Sequence, residues 1–189
     1  MSAHCPLIAT KQGSVLVLID IQQRLTTVMP DGIGQRLIAQ VAILLKASQA
    51  LSIPVIVTEQ YPKGLGPTES VLKSLLPEVT PIIEKTNFSA AKVDEFVATI
   101  VQAKRRQIIL TGMETHICIL QTALDLQQQG YQVIVVEDAV SSRTITNQQN
   151  ALQRLRQAGV IISNVESIIF EWLGDAKHPV FKSLSKLIV

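Results

Sequence analysis

The chain has 189 residues, 47% of them apolar and 17% charged, with 17 Lys and Arg against 15 Asp and Glu. That apolar share excludes a disordered chain, and a formal charge of +2 without a long basic run leaves no charged surface for nucleic acid. Mean hydropathy is +0.31, yet no apolar stretch approaches the roughly 18 residues a membrane span needs. The length predicts one domain over residues 1–189, large enough to bury a core without disulfides or a structural metal. Two cysteines, Cys5 and Cys118, are too few for a disulfide framework and point to a reducing, cytoplasmic location. The N-terminal Met-Ser-Ala-His-Cys-Pro shows no basic-then-apolar secretory pattern. So little charge predicts a homo-oligomer, dimer or higher, that covers the excess apolar surface.

Short β-branched runs recur at Val15–Ile19, Ile53–Thr58, Ile82–Glu84, Gln107–Thr111, Gln132–Val136 and Val160–Ser163. Several are apolar without alternation, as in parallel strands covered on both faces. Between them, Gln35–Leu51, Val93–Ala103, Ile117–Gln129 and Asn147–Ala158 carry apolar residues at helical spacing, the last two ending at Gly130 and Gly159. One or two more helices are expected after Asn164, around Trp172. Strand and helix alternating about six times predict an α/β fold, a three-layer αβα sandwich on a six-stranded, mostly parallel sheet with Rossmann-like order.

In such sheets ligands bind beyond the carboxyl ends of the strands, so the residues just after each strand carry the information. Three stand out. Asp20 ends an apolar strand, where a carboxylate suits a general base but also a helix cap or a ribose contact. Lys85 ends another, as a charge-stabilising cation or an ordinary solvated lysine. Cys118 opens the Ile117–Gln129 helix, with Thr115 as N-cap and Gly112 as the turn that closes the strand. Backbone N–H groups and the helix dipole should favour a thiolate there, although a buried structural cysteine fits as well. A nucleophilic thiol needs a base and a cation, which the three would supply together. No cofactor is expected, since neither G-x-G-x-x-G nor a Walker A sequence occurs. His4, His116 and His178 are too scattered for a metal site. Gly64-Leu-Gly66 reads as turn chemistry, and His116 as a helix-start residue that lies close to the thiol.

Val15–Gln22, Glu84–Ser89 and Thr111–Cys118 resemble, in order, the three motifs of the isochorismatase-like cysteine hydrolases. Thr58–Gly66, Asp138–Arg143 and His178–Phe181 extend the likeness toward the isochorismatase-domain-containing subgroup. The resemblance implies a triad in which Asp20 takes the thiol proton, Lys85 orients Asp20 and stabilises charge, and Cys118 attacks an electrophilic carbon. In amidase members of that family a thioester forms and water hydrolyses it. The family also implies a cis peptide at Met113–Glu114, at a cost of roughly 3–4 kcal/mol. That bond would aim the backbone N–H groups of Glu114 and Cys118 at an oxyanion, each donor worth roughly 3 kcal/mol. A substrate pocket built from Gln22, Tyr61, Phe88 and His116 follows from their place in or beside the motifs.

Two departures narrow the resemblance. The Thr58–Gly66 stretch has neither the Asp nor the His with which nicotinamidases of the superfamily bind metal. Isochorismatases proper lack the nucleophilic Cys that this chain has. The leading expectation is a metal-independent cysteine hydrolase of a small C–N substrate, with no nucleic-acid or membrane partner. A non-catalytic interaction protein keeping the fold and a thiol redox sensor pairing Cys118 with Cys5 are the competing readings.

Overall fold

The computed structural model describes residues 7–188. Cys5 and His4 lie outside them. In chain order the elements are β1 (Ser14–Ile19), α1 (Gln23–Thr26), α2 (Ile33–Ala50), β2 (Val55–Gln60), α3 (Pro62–Leu65), α4 (Ser70–Lys73) and β3 (Ile82–Lys85), then a 3₁₀ turn at Ala90–Lys92, α5 (Asp94–Ala103) and β4 (Gln107–Met113). A π-helical turn at Thr115–Ile119, α6 (Leu120–Gln128), β5 (Gln132–Ser141), α7 (Ile145–Gln157), β6 (Ile161–Ser163), α8 (Val165–Leu173) and α9 (Phe181–Ser185) follow.

The six strands form one sheet in the order β3-β2-β1-β4-β5-β6, with every pairing parallel. This is the expected fold class. Successive strand residues point to opposite faces, and both faces are dry. Leu16, Leu18, Val57 and Ile109 pack with Leu44 and Leu45 of α2 and Ile168, Ile169 and Trp172 of α8. Val15, Val17, Ile19 and Leu110 pack on the other side with Phe96 of α5, Ala123 of α6 and Leu155 of α7. Double-sided burial is why the strands read as continuous apolar runs. Trp172 satisfies its indole N–H by donating to Ser14 Oγ at 3.0 Å, so its bulk is buried without an unpaired donor.

The chain steps from β1 to β2 to β3 in one direction, then returns to place β4 on the other side of β1. The order therefore reverses between β1 and β4, and a crevice opens beyond their carboxyl ends. Gly112 sets how closely these two strands approach: at φ 139°, a Cβ there would lie 2.0 Å from the Ile19 carbonyl oxygen. Gly112 is thus inside β4, at a shift of register against β5, and does not end the strand as the sequence suggested. β5 likewise runs past Asp138, which lies within the strand rather than beyond it. Its carboxylate accepts the Val165 N–H at 3.0 Å, at the start of α8, and burial pushes it above its usual range.

Candidate active site

β1 delivers Asp20 to the rim. Its backbone turns into the left-handed region, φ 54°, one that Asp tolerates better than most residues. The side chain is fully buried, and its Oδ1 accepts from Thr58 Oγ1 at 2.7 Å. The other oxygen, Oδ2, accepts from Lys85 Nζ at 2.7 Å. Lys85 is the last residue of β3, an edge strand whose burial alternates so that Ile83 and Lys85 face inward. Around Nζ stand Gln60 Oε1 at 2.6 Å, the carbonyls of Asn87 and Phe88 at 3.2 Å each, and Cys118 Sγ at 3.8 Å. A buried ammonium is tolerable only because acceptors surround it in this way.

Cys118 sits in the π-helical turn that precedes α6 and is 5% exposed. Thr115 does not cap this turn. The residue before it is Glu114, with no side-chain cap, and the Thr115 hydroxyl is buried without a partner. The expected side-chain cap is absent, and the balance of burial and charge goes the other way. Burial pushes the thiol up, the Asp20 charge pushes it further, and Lys85 opposes both. Lys85 Nζ touches both groups, 2.7 Å from Asp20 Oδ2 and 3.8 Å from Sγ, and the neutral thiol is the favoured form between them.

No cis peptide occurs among the described residues, so Met113–Glu114 is trans, contrary to the expectation. The chain reverses after β4 by rotations of the main chain instead: Gly112 at φ 139° and Glu114 at φ 58° turn it without the cost of a cis bond.

Above the thiol opens a cavity of about 420 Å³. Leu25, Val28, Leu65, Phe88 and Ile117 form its apolar wall, while Gln60, Glu114, Arg24 and Arg143 contribute polar groups beside Cys118. Of the four residues expected to form the pocket, Phe88 alone lines it. Gln22 is wholly buried beneath the site and works as a buckle. Its Oε1 accepts the Gln60 N–H at 2.7 Å, and its Nε2 donates to the carbonyls of Gln60 at 3.0 Å and Gly66 at 2.6 Å. Tyr61, left-handed at φ 37°, faces a separate depression with Lys63 and Glu84. His116 turns away to Ser142 Oγ at 3.0 Å, with Glu114 Oε2 at 3.3 Å. Gln60, Leu65 and Arg143 lie inside the segments Thr58–Gly66 and Asp138–Arg143, so their signal was present without a role attached. For Arg24, Leu25 and Val28, on or beside the one-turn helix α1, the sequence offered none.

The Isochorismatase domain model matches residues 14–167. Isochorismatase domain-containing protein 2 of Bos taurus is 42% identical over 180 residues, 93% of this chain and 83% of that one. This chain belongs to the isochorismatase family. A secreted isochorismatase effector, Isc1, of Phytophthora sojae is 41% identical over 93% of this chain and 84% of its own length. Among solved structures, the MAR1 ribonuclease of Caenorhabditis elegans superposes with a TM-score of 0.90 at 40% identity, over 96% of this chain and 92% of that one. The chain therefore carries an isochorismatase-family hydrolase fold, with Asp20, Lys85 and Cys118 meeting at its switch point. Among the described residues, no group of three or more His, Cys, Asp or Glu stands together as a metal site, and no helix is long and apolar enough to cross a membrane.

Proposed function

We propose that the chain is a metal-independent cysteine hydrolase that cleaves the C–N bond of a small amide-type substrate through a thioester, with Asp20, Lys85 and Cys118 as its triad. The observation that carries this reading is a single ammonium 2.7 Å from a carboxylate and 3.8 Å from a thiol, beneath a cavity sized for a small molecule. The metal-independent part rests on the Thr58–Gly66 stretch, which offers no His or Asp ligand.

The steps follow from the resting protonation. Because burial and Asp20 hold Cys118 as a thiol, Asp20 takes the proton as Sγ attacks the carbonyl carbon. The carbonyl electron pair becomes an oxyanion; the Cys118 backbone N–H would donate to it, while the Glu114 N–H lacks the aim that a cis Met113–Glu114 bond would have given it. Lys85, 2.7 Å from Asp20 and 3.8 Å from Sγ, compensates Asp20 before the transfer and the sulfur during it. Collapse of the intermediate re-forms the C=O bond and breaks C–N, and Asp20 returns the proton to the departing nitrogen. Water, deprotonated by Asp20, then attacks the thioester. The C–S bond breaks, the acid leaves, and the proton restores the thiol.

The apolar wall and the modest volume favour a small acyl group over a polymer. The same reading makes the protein a cytoplasmic homo-oligomer. The location rests on the two-cysteine content, and the assembly on the low charge and on the exposed Val28, Tyr61 and Phe88. Light scattering and cell fractionation test those two points. The activity itself is tested by ammonia release from a panel of small primary amides, with labelled RNA run alongside. Asp20→Asn, Lys85→Ala and Cys118→Ala should each abolish release, and hydroxylamine should trap an acyl group on Cys118. Full activity in Cys118→Ala, or RNA cleavage without amide turnover, would overturn the proposal.

A further inference from the structure

Arg24 is a cation without a counter-charge. It sits on α1, exposed, and lines the same cavity as Cys118. Its Nη1 donates to the carbonyl of Gly64, another lining residue. Among the described residues it has no ion pair and no second hydrogen-bond partner. Arg143, the other cation of the lining, differs in this respect: its Nε is 2.9 Å from Glu114 Oε1. The tie to Gly64 is built locally. A Cβ on Gly64 would lie 2.4 Å from Cδ1 and Cε1 of Tyr61, so glycine lets the chain pass beneath that ring. Tyr61 itself is left-handed at φ 37° and accepts the Gly64 N–H at 2.8 Å. The turn presents a carbonyl that holds one nitrogen of the guanidinium against the cavity and leaves its remaining N–H donors open. An arginine that only solubilises the surface keeps its rotamer freedom and needs no such tether. Depth then sorts the groups. Cys118 is 5% exposed, whereas the Arg143 side chain is 55% exposed and Arg24 is exposed as well. The thiol is therefore at the floor and the guanidinium groups are at the mouth, with the apolar wall of Leu25, Val28, Leu65, Phe88 and Ile117 around the same space.

Resting on the cysteine-hydrolase reading, we propose that Arg24 binds a carboxylate at the end of the substrate remote from the scissile amide, so the site selects small amide acids over neutral amides of the same shape. Such a substrate has three parts that match the cavity from floor to mouth: an amide carbonyl at Sγ, a short apolar stretch along the wall, and an anion at the outer end. A guanidinium takes a carboxylate through two parallel N–H···O bonds, and with Nη1 tied to Gly64 the edge formed by Nε and Nη2 is the one that receives it. A carboxylate suits the site better than a phosphate monoester. Arg143 is already matched by Glu114, which leaves one guanidinium charge to meet, whereas a phosphate carries roughly −1.5 to −2 near pH 7.

The test needs no known substrate. Cys118 is alkylated with iodoacetamide, with N-iodoacetyl-β-alanine, and with the neutral N-methylamide of that acid. Modification is followed by peptide mass spectrometry, and each rate is divided by that of the uncharged thiol N-acetylcysteinamide with the same reagent. The wild-type chain should prefer the acid over its N-methylamide by about tenfold, the scale of one charge-assisted hydrogen bond. Lys85 also attracts anions, so the assignment to Arg24 rests on the variants. Arg24→Gln should lose about fivefold of that preference at a melting temperature close to wild type, and Arg24→Lys, which keeps the charge without the fork, should lose less. Arg36→Gln removes the same charge from a residue outside the cavity lining and should keep the preference whole. No preference for the acid, a preference unchanged in Arg24→Gln, or an equal loss in Arg36→Gln overturns the proposal, and reaction with iodoacetamide leaves the nucleophile reading standing in each case. A Cys118 inert to all three reagents overturns the nucleophile reading and this one with it.

Discussion

Replacing Lys85 with Met removes the cation from a buried pair and keeps most of the side-chain volume. Asp20 then retains Thr58 Oγ1 at 2.7 Å, but loses its ion pair with Lys85, fully out of solvent. Stranding one member of a buried pair costs about 3–5 kcal/mol, a large part of a domain stability of about 5–15 kcal/mol. For a chain of this length that corresponds to a melting temperature lower by about 6–20 °C. The opposite truncation, Asp20→Asn, should cost less, about 1–3 kcal/mol, because the ammonium keeps Gln60 Oε1 and the carbonyls of Asn87 and Phe88 as acceptors. Asn also tolerates the left-handed backbone at residue 20, which a leucine would not. In the double variant neither charge remains, so the loss should be smaller than the sum of the singles by at least about 2 kcal/mol. Urea denaturation of all four proteins, with ammonia release measured in parallel, completes the cycle. A Lys85→Met loss below about 1 kcal/mol, or a strictly additive double variant, would refute the account of a charge pair held by mutual compensation.

The raised Cys118 thiol makes an alkaline prediction. Its neutral form is favoured in the folded state, so that contribution is whole below the ordinary thiol value of 9.0 and is lost above it, as unfolded chains shed a proton that folded ones keep. Between about pH 9 and 11 the wild-type chain should lose up to about 1.4 kcal/mol per pH unit more than Cys118→Ala, and parallel denaturation curves for the two would contradict this. Gly112→Ala drives a Cβ to within 2.0 Å of the Ile19 carbonyl and should cost more than about 4 kcal/mol or abolish soluble expression; a urea-measured change under about 1 kcal/mol would show that β1 and β4 can separate freely. Gln22→Ala orphans the Gln60 N–H and two carbonyls, for about 2–4 kcal/mol. It should lower kcat more than it raises KM, since Gln60 then holds Lys85 less firmly; an unchanged kcat would remove Gln22 from the positioning of the site. Leu44→Ala in α2, fully buried under the sheet, should cost about 2–5 kcal/mol by the same denaturation measurement and leave kcat alone.

The sheet was legible because a strand buried on both faces has no choice but to be apolar throughout, and Val15–Ile19 shows it. The strand ends were less so. β4 and β5 run beyond their apolar runs because Gly112 and Asp138 are held by register and by α8, not by their own propensity. Asp20, Lys85 and Cys118 could be singled out because each is a polar group where an apolar strand or turn ends, and the sheet order then carries three distant segments to one place. The pocket was not legible in the same way. Gln22 and Tyr61 sit in the right segments, but whether a side chain faces the cavity depends on φ at the strand end, as the left-handed Tyr61 shows. Leu25 and Leu65 come from helices of four residues each, too short to leave a periodic signal.

Five non-glycine residues among those described have positive φ: Asp20, Ser52, Tyr61, Lys104 and Glu114. Asp20, Tyr61 and Glu114 each follow directly on the last residue of β1, β2 and β4. Each such residue costs on the order of 1 kcal/mol or more, and the other two lie at the far ends of helices, where left-handed residues are ordinary. The strain is therefore gathered at one rim. It turns three neighbouring strands sharply enough that Asp20 reaches Lys85 at 2.7 Å and Glu114 enters the cavity wall beside the thiol. A gentler exit from the strands would relieve the backbone and carry those carboxylates away from Cys118. The dry two-sided core supplies the stability that holds them there, which is why core substitutions such as Leu44→Ala and rim substitutions such as Gln22→Ala should separate in kcat even where they cost the same in stability.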